Sequence, residues 1–394
     1  MNKLLGLLSL VVLWGNAAIA DTVDVNTFNA LNTAVGEAAS PRTINILDNL
    51  TSTANMNVQS AADLTINGNN FTLSGYTGYS NASGFRLING NTLTLENINM
   101  DSFKSSNKGG AIYNDNSSSV TIGNNASFTS NTSANGGGAI YNGNSSSVTI
   151  GNNASFTSNT STNGGGAIYG STGSTTTLNT GSGLTTFSGN TDYRGPNDIY
   201  LYDTAKLNIS GTGEVLFGSG IASSNTNAVI NQNSTGNMTL ESTANNANFQ
   251  GTFTQTAGKT TVLGSFFNNT SANNIITNNS ILDMSQAADR TINRITIDNA
   301  ALSAIGGGIQ AYTINNLSSG SGTANFDVDI DGLAGTSDTF AITNAGSGTL
   351  NIANFHLVNA PTAESIPLTI FSGNISGYTF TTSKTEVTTP VYNY

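Results

Sequence analysis

Residues 109–169 read GGAIYNDNSSSVTIGNNASFTSNTSANGGGAIYNGNSSSVTIGNNASFTSNTSTNGGGAIY, and the inner block 116–133 returns letter for letter as 144–161. Ile112, Ile140 and Ile168 are 28 residues apart (140 − 112 and 168 − 140), and Phe128 and Phe156 keep the same step. Self-similarity at a fixed period of a few tens of residues is the mark of a stacked repeat, in which one unit cannot bury its apolar face alone but neighbours can. Each copy carries three short apolar islands; in the second they are Ala139-Ile140-Tyr141, Val148-Thr149-Ile150 and Ala154-Ser155-Phe156. Period-two alternation turns Val148, Ile150, Ala154 and Phe156 inward and Thr149 and Ser155 outward.

Gly136-Gly137-Gly138 and Gly151-Asn152-Asn153 separate the islands, where left-handed backbone is cheap. No island is long enough for a helix, and Gly and Asn at this density oppose one. The reading is all-β: a parallel β-helix with about 4.8 Å between coils. Phe128 is expected over Phe156, Ile112, Ile140 and Ile168 in one inner column, and Asn124 over Asn152 in a hydrogen-bonded ladder.

Two tetrapeptides mark the repeat. Gly-Gly-Ala-Ile occurs as Gly109, Gly110, Ala111 and Ile112, as Gly137, Gly138, Ala139 and Ile140, and as Gly165, Gly166, Ala167 and Ile168. Phe-x-x-Asn occurs as Phe128/Asn131, Phe156/Asn159 and Phe187/Asn190. Paired at this spacing they resemble the repeats of the chlamydial-type polymorphic outer membrane proteins, a branch of the autotransporter passengers. The resemblance implies a right-handed, pectin-lyase-like β-helix on a Gram-negative cell surface, often working as an adhesin. Its specific part covers residues 103–190; residues 195–200 and 251–264 resemble autotransporter passengers more loosely. That family ends in a membrane barrel that exports and anchors the passenger, and no such barrel is recognisable here. The expected partners are therefore an outer-membrane translocator and a host-cell or neighbouring-cell surface protein or glycan. From the residues alone, glycine makes the turn, isoleucine and phenylalanine fill the core, and asparagine sits at the turn that follows.

Of the 394 residues 8% are charged, 44 are Gly, 5 are Pro and none is Cys. Charge is about a third of the globular norm. Polarity of this kind could mean disorder, but 37% hydrophobic residues in periodic short runs argue for a folded β protein. A net charge of −11 argues against nucleic acid or anionic lipid as partner. Without cysteine, stability falls to stacking.

Along the chain, residues 1–20 read as a signal peptide: Lys3, an apolar run over 4–14, and the small-residue site Ala18-Ile19-Ala20. Residues 21–39 form the N-terminal cap, with Phe28, Leu31 and Val35 on one face of a short helix. Such a cap covers strand ends that would otherwise be an aggregation hazard. The β-helix takes 40–394, with coiling expected to fray near Pro361, Pro367 and Pro390.

Solenoids of this shape also carry polysaccharide lyases and hydrolases. The chemistry needs grouped carboxylates or a positioned base. The sequence has no Asp-Asp pair, and Arg and Lys look few and scattered. Its one histidine, His356, reads as an ordinary strand residue. Asp327-Val-Asp-Ile-Asp-Gly332 with Asp338 has the spacing of a calcium loop, but Val328 and Ile330 alternate as a strand does, with the carboxylates on a solvent face. The strand is the preferred reading. No catalytic residue, metal or cofactor is assigned. The favoured function is a non-enzymatic surface or secreted β-helix; the alternative is a polysaccharide-active enzyme.

Cleavage after Ala20 predicts an exported chain that begins at Asp21 and shows no tryptophan emission, because Trp14 is the sole tryptophan. N-terminal sequencing and fluorescence of exported protein check this, and a tryptophan-bearing product would refute it.

Overall fold

The computed structural model describes residues 21–37, 42–58, 63–75, 83–241, 249–264, 274–287, 290–362 and 367–383. Residues 1–20, read above as a signal peptide, and Pro390 lie outside these. The chain winds as a parallel β-helix. One 15-stranded sheet runs from Asp21–Val25 to Phe371–Gly373, a second from Leu50–Ser52 to Tyr378–Thr382. A third sheet of seven strands runs from Met56–Asn57 to Ile221–Ser223, and a fourth of five from Lys104–Ser105 to Gly195–Pro196. Fifteen strands at ~4.8 Å make a rod of about 65–70 Å. Among the described residues the pairing is parallel except in two hairpins, Thr191–Asp192 with Gly195–Pro196 and Thr323–Asp331 with Thr336–Ser337.

The duplicated blocks are spatial neighbours in register. Val148 pairs with Val120, Phe156 with Phe128, and Ile140 with both Ile112 and Ile168. Val148, Ile150 and Phe156 are fully buried and Ala154 nearly so, as alternation requires. The rings of Phe128 and Phe156 stack 4.9 Å apart at 4°, and the column continues through Phe187 to Phe217. The isoleucine column likewise extends past Ile168 to Ile199 and Ile221.

Four readings need correction. The three islands become three sheets, but residues such as Thr132–Ser133 form a fourth, because the chain must turn a further corner after each buried asparagine. Asp21–Val25 is no part of the helical cap; it is the first strand, paired with Arg42–Ile46. Coiling does not fray at Pro361 or Pro367: Phe371–Gly373 and Tyr378–Thr382 still pair with the preceding coil, because both prolines stand outside strands. Asn124 does not join an amide ladder with Asn152; its Oδ1 accepts from the Asn152 backbone N–H at 2.9 Å. The side-chain ladder there belongs to Asn125 and Asn153, at 3.1 Å.

The helix Phe28–Gly36 covers the N-terminal end of the core, burying Phe28, Leu31, Ala34 and Val35. Thr27 caps it, its hydroxyl accepting from the Ala30 N–H at 3.3 Å. Arg42 ties it down: Nη1 donates to Ala34 O and Glu37 Oε2, and Nη2 to Asp21 Oδ2.

Phe156→Ala removes an inner ring of the stacked column and should cost about 3–5 kcal/mol, against less than about 0.5 kcal/mol for the outward Thr149→Ala. Urea unfolding midpoints of the two variants test this; equal midpoints would contradict a filled interior.

Candidate functional site

The Gly-Gly-Ala-Ile motifs lie inside the wall of the rod. Ala111, Ile112, Ala139, Ile140, Ala167 and Ile168 are fully buried, and Gly109, Gly110, Gly137, Gly138, Gly165 and Gly166 are buried with them. Gly137 has φ +65°, and a Cβ there would lie 2.0 Å from Ile140 O. A Cβ on Gly138 would lie 2.1 Å from Gly166 O in the next coil. Both positions admit only hydrogen, so the motif is a corner where successive coils touch backbone to backbone.

What leaves that corner is tyrosine. Each Gly-Gly-Ala-Ile is followed by one, and Tyr113, Tyr141, Tyr169 and Tyr200 pair coil on coil along the third sheet. Their ring centroids are 5.5, 5.2 and 5.4 Å apart. Burial raises the hydroxyl pKa of Tyr113 and Tyr169 far above the ordinary phenol value, so both stay neutral.

Cations line this column. Arg86 is the register partner of Tyr113, with its guanidinium 5.6 Å from that ring. Lys108 Nζ lies 4.3 Å from the Tyr141 ring and donates to its hydroxyl at 2.8 Å. At the other end Arg194 lies over Tyr200 at 4.2 Å and Tyr193 at 4.4 Å. There Tyr193 (63%) and Tyr202 (44%) are exposed aromatic surface. Basic residues that look scattered in the sequence thus converge. The signal was present but unread: each tyrosine shares the period of the motif before it.

The Phe-x-x-Asn asparagines also surprise. Asn131, Asn159 and Asn190 stand at the turn after each phenylalanine, yet they point inward and are fully buried. Asn131 Nδ2 donates to Asn159 Oδ1 at 3.0 Å, Asn159 Nδ2 to Asn190 Oδ1 at 3.0 Å, and Asn190 Nδ2 to Asp198 Oδ1 at 2.8 Å. Each amide also donates to a main-chain carbonyl: Met100, Phe128 and Phe156. Asp198 ends the ladder, its Oδ2 accepting from the N–H groups of Ser219 and Gly220.

The acidic string at 327–338 folds as the strand Thr323–Asp331 and its hairpin. Its carboxylates do not all face solvent: Asp327 and Asp329 are buried, because the next coil lays a donor over each member. Asn354 reaches Asp327, His356 Nδ1 reaches Asp329 at 2.7 Å, and Asn359 reaches Asp331. Asp338 instead turns back to accept the N–H groups of Asp329 and Gln310. Among the described residues no three His, Cys, Asp or Glu groups gather as a metal would need. His356 is a strand residue, as its surroundings imply, with its side chain half exposed.

Compared with models of known protein families and with curated proteins, the chain matches none.

Burial pushes the Asp198 carboxyl up to about 7 against hydrogen bonds from Asn190, Ser219 and Gly220, and Asp338 up to about 6. Unfolded carboxyls titrate near 4, so the folded state holds these protons more tightly. Their contribution to stability is full below about pH 4 and is lost as pH rises through 6 and 7. The melting temperature should therefore fall between pH 5 and pH 8, and fall less in Asp198→Asn, which cannot ionise. Identical pH profiles for the variant and the parent would overturn this assignment.

Proposed function

We propose that this protein is a non-enzymatic β-helix, exported and displayed at or released from a Gram-negative cell surface, where it works as an adhesin or surface-layer component. Its recognition face is the tyrosine column with its cations. The observation that carries this reading is the contrast between that face and its surroundings. Elsewhere the flanks present mostly Asn, Ser and Thr, and several asparagines pair with asparagines of the next coil, as Asn231 does with Asn208. Among the described residues the column alone combines stacked aromatic rings, exposed Tyr193 and Tyr202, and Arg86, Lys108 and Arg194, in a chain of net charge −11. Tyrosine and arginine are the residues in which binding energy concentrates. The signal segment and the repeat resemblance support export and display, through a translocator outside this sequence.

One observation favours a second reading, a polysaccharide lyase or glycoside hydrolase on the same fold. His356 presents a half-exposed imidazole held by the buried Asp329 carboxylate, the arrangement that orients a general base. Release of sugar fragments from pectin, alginate or host glycans by the processed protein, lost in His356→Ala, would put this reading first.

Beads coated with the processed chain should bind host or neighbouring bacterial cells. Tyr193→Ala with Tyr202→Ala should weaken binding about fivefold or more, while the exposed control Leu184→Ala leaves it unchanged. A deletion strain that adheres like its parent to host cells, glycans and other bacteria would remove the adhesin assignment.

A further inference from the structure

At the N-terminal end of the tyrosine column the wall opens into a recess of about 120 Å³. Arg86, Lys108 and Tyr113 form one side; Asn55, Ser83, Ser105 and Asn107 complete it. Apart from the tyrosine ring, every lining side chain is polar. Its floor is preorganised: Ser83 and Ser105 both donate their hydroxyls to Lys108 O, at 3.1 and 3.3 Å, and the Asn107 N–H donates to Ser105 Oγ at 3.2 Å.

The two cations converge on this one recess. Arg42, Arg194 and Lys259 each have a carboxylate within ion-pair distance. Among the described residues Arg86 and Lys108 have none, as is also true of Lys104, Lys206, Arg290 and Arg294; what sets the pair apart is that their partners are tyrosine rings and the Tyr141 hydroxyl. Asp115 accepts from the Tyr113 hydroxyl and from the N–H groups of Asn116 and Asn144 and makes no ion pair with either cation. Two half-buried cations with no carboxylate at ion-pair distance among the described residues, set against one small polar recess, attract an anion, and a guanidinium fork suits a planar or tetrahedral oxyanion.

We infer that the recess between Arg86, Lys108 and Tyr113 is a binding subsite for the anionic group of an acidic sugar, a uronate carboxylate or a sulfate ester. Its volume is about four times a water's share of the liquid, enough for one such group and the edge of its ring. The neighbouring Asn and Ser side chains suit sugar hydroxyls, and Tyr113 supplies an apolar wall. A continuous polyanion such as nucleic acid is disfavoured by the net charge of −11, whereas a sugar with spaced charges meets the recess one group at a time. This names a ligand class for the proposed adhesin and rests on that reading for its biological meaning.

Calorimetric titration of the processed chain with galacturonate oligomers and with heparin oligosaccharides distinguishes carboxylate from sulfate; dextran oligomers are the uncharged control and oligoglutamate the acidic-peptide control. At least one acidic sugar should bind, more weakly as salt rises. Arg86→Gln and Lys108→Gln should each weaken it about tenfold. Arg86→Lys should recover part of the loss, and the distant exposed Lys206→Gln should have no effect. Unchanged melting temperatures keep the comparison valid. No binding by either acidic sugar, equal binding of dextran or oligoglutamate, or equal losses in Lys206→Gln would each overturn the subsite. Cell adhesion without oligosaccharide binding removes the subsite and leaves the adhesin; oligosaccharide binding without cell adhesion does the reverse.

Discussion

Translation is the constraint on which the structure depends. In a parallel stack with matched register, each side chain lies beneath the residue one coil later, so a position works only if it tolerates its own neighbour. The buried asparagine ladder shows this most severely. An amide without partners in a dry interior costs several kcal/mol. Asn131, Asn159 and Asn190 avoid that cost because an amide carries both donor and acceptor, and repetition sets the donor of one against the acceptor of the next. Such a column must end somewhere, and it ends on Asp198, whose two oxygens accept from Asn190 on one side and from the N–H groups of Ser219 and Gly220 on the other.

The same rule shapes the outer surface. Glycine at Gly137 and Gly138 lets successive corners touch, and the residue after the corner stacks on its counterpart once per coil, Tyr113 and Tyr169 half-buried and Tyr141 and Tyr200 buried. Tyrosine at that position therefore becomes a column of rings. Cations gather there because ring faces attract them at both ends, through Arg86 and Arg194. The tyrosine column thus arises from a scaffold motif whose own residues are buried, so Gly-Gly-Ala-Ile and the column belong to one repeat while occupying different depths of it.

Toward the C-terminus the strict repeat is lost, and the chain replaces identity by complementarity. Asp327, Asp329 and Asp331 lie beneath Asn354, His356 and Asn359, acceptor under donor, where earlier coils place like on like. The third sheet has ended by then, at Ile221–Ser223, while the two long sheets continue.

Much was legible in the sequence. The period of the duplicated blocks specified coil length, parallel strands and the Phe128–Phe156 and Ile112–Ile140–Ile168 columns, because alternation and repetition are both one-dimensional patterns. The helix Phe28–Gly36 was equally plain from Phe28, Leu31 and Val35. Three things were decided only in three dimensions: that Asn131, Asn159 and Asn190 point inward, that Asp327 and Asp329 are covered, and that Arg86, Lys108 and Arg194 meet one column. Each depends on which residue of another coil lies alongside. That pairing follows from loop lengths and from the angle of each corner, and neither leaves a periodic trace in a single chain.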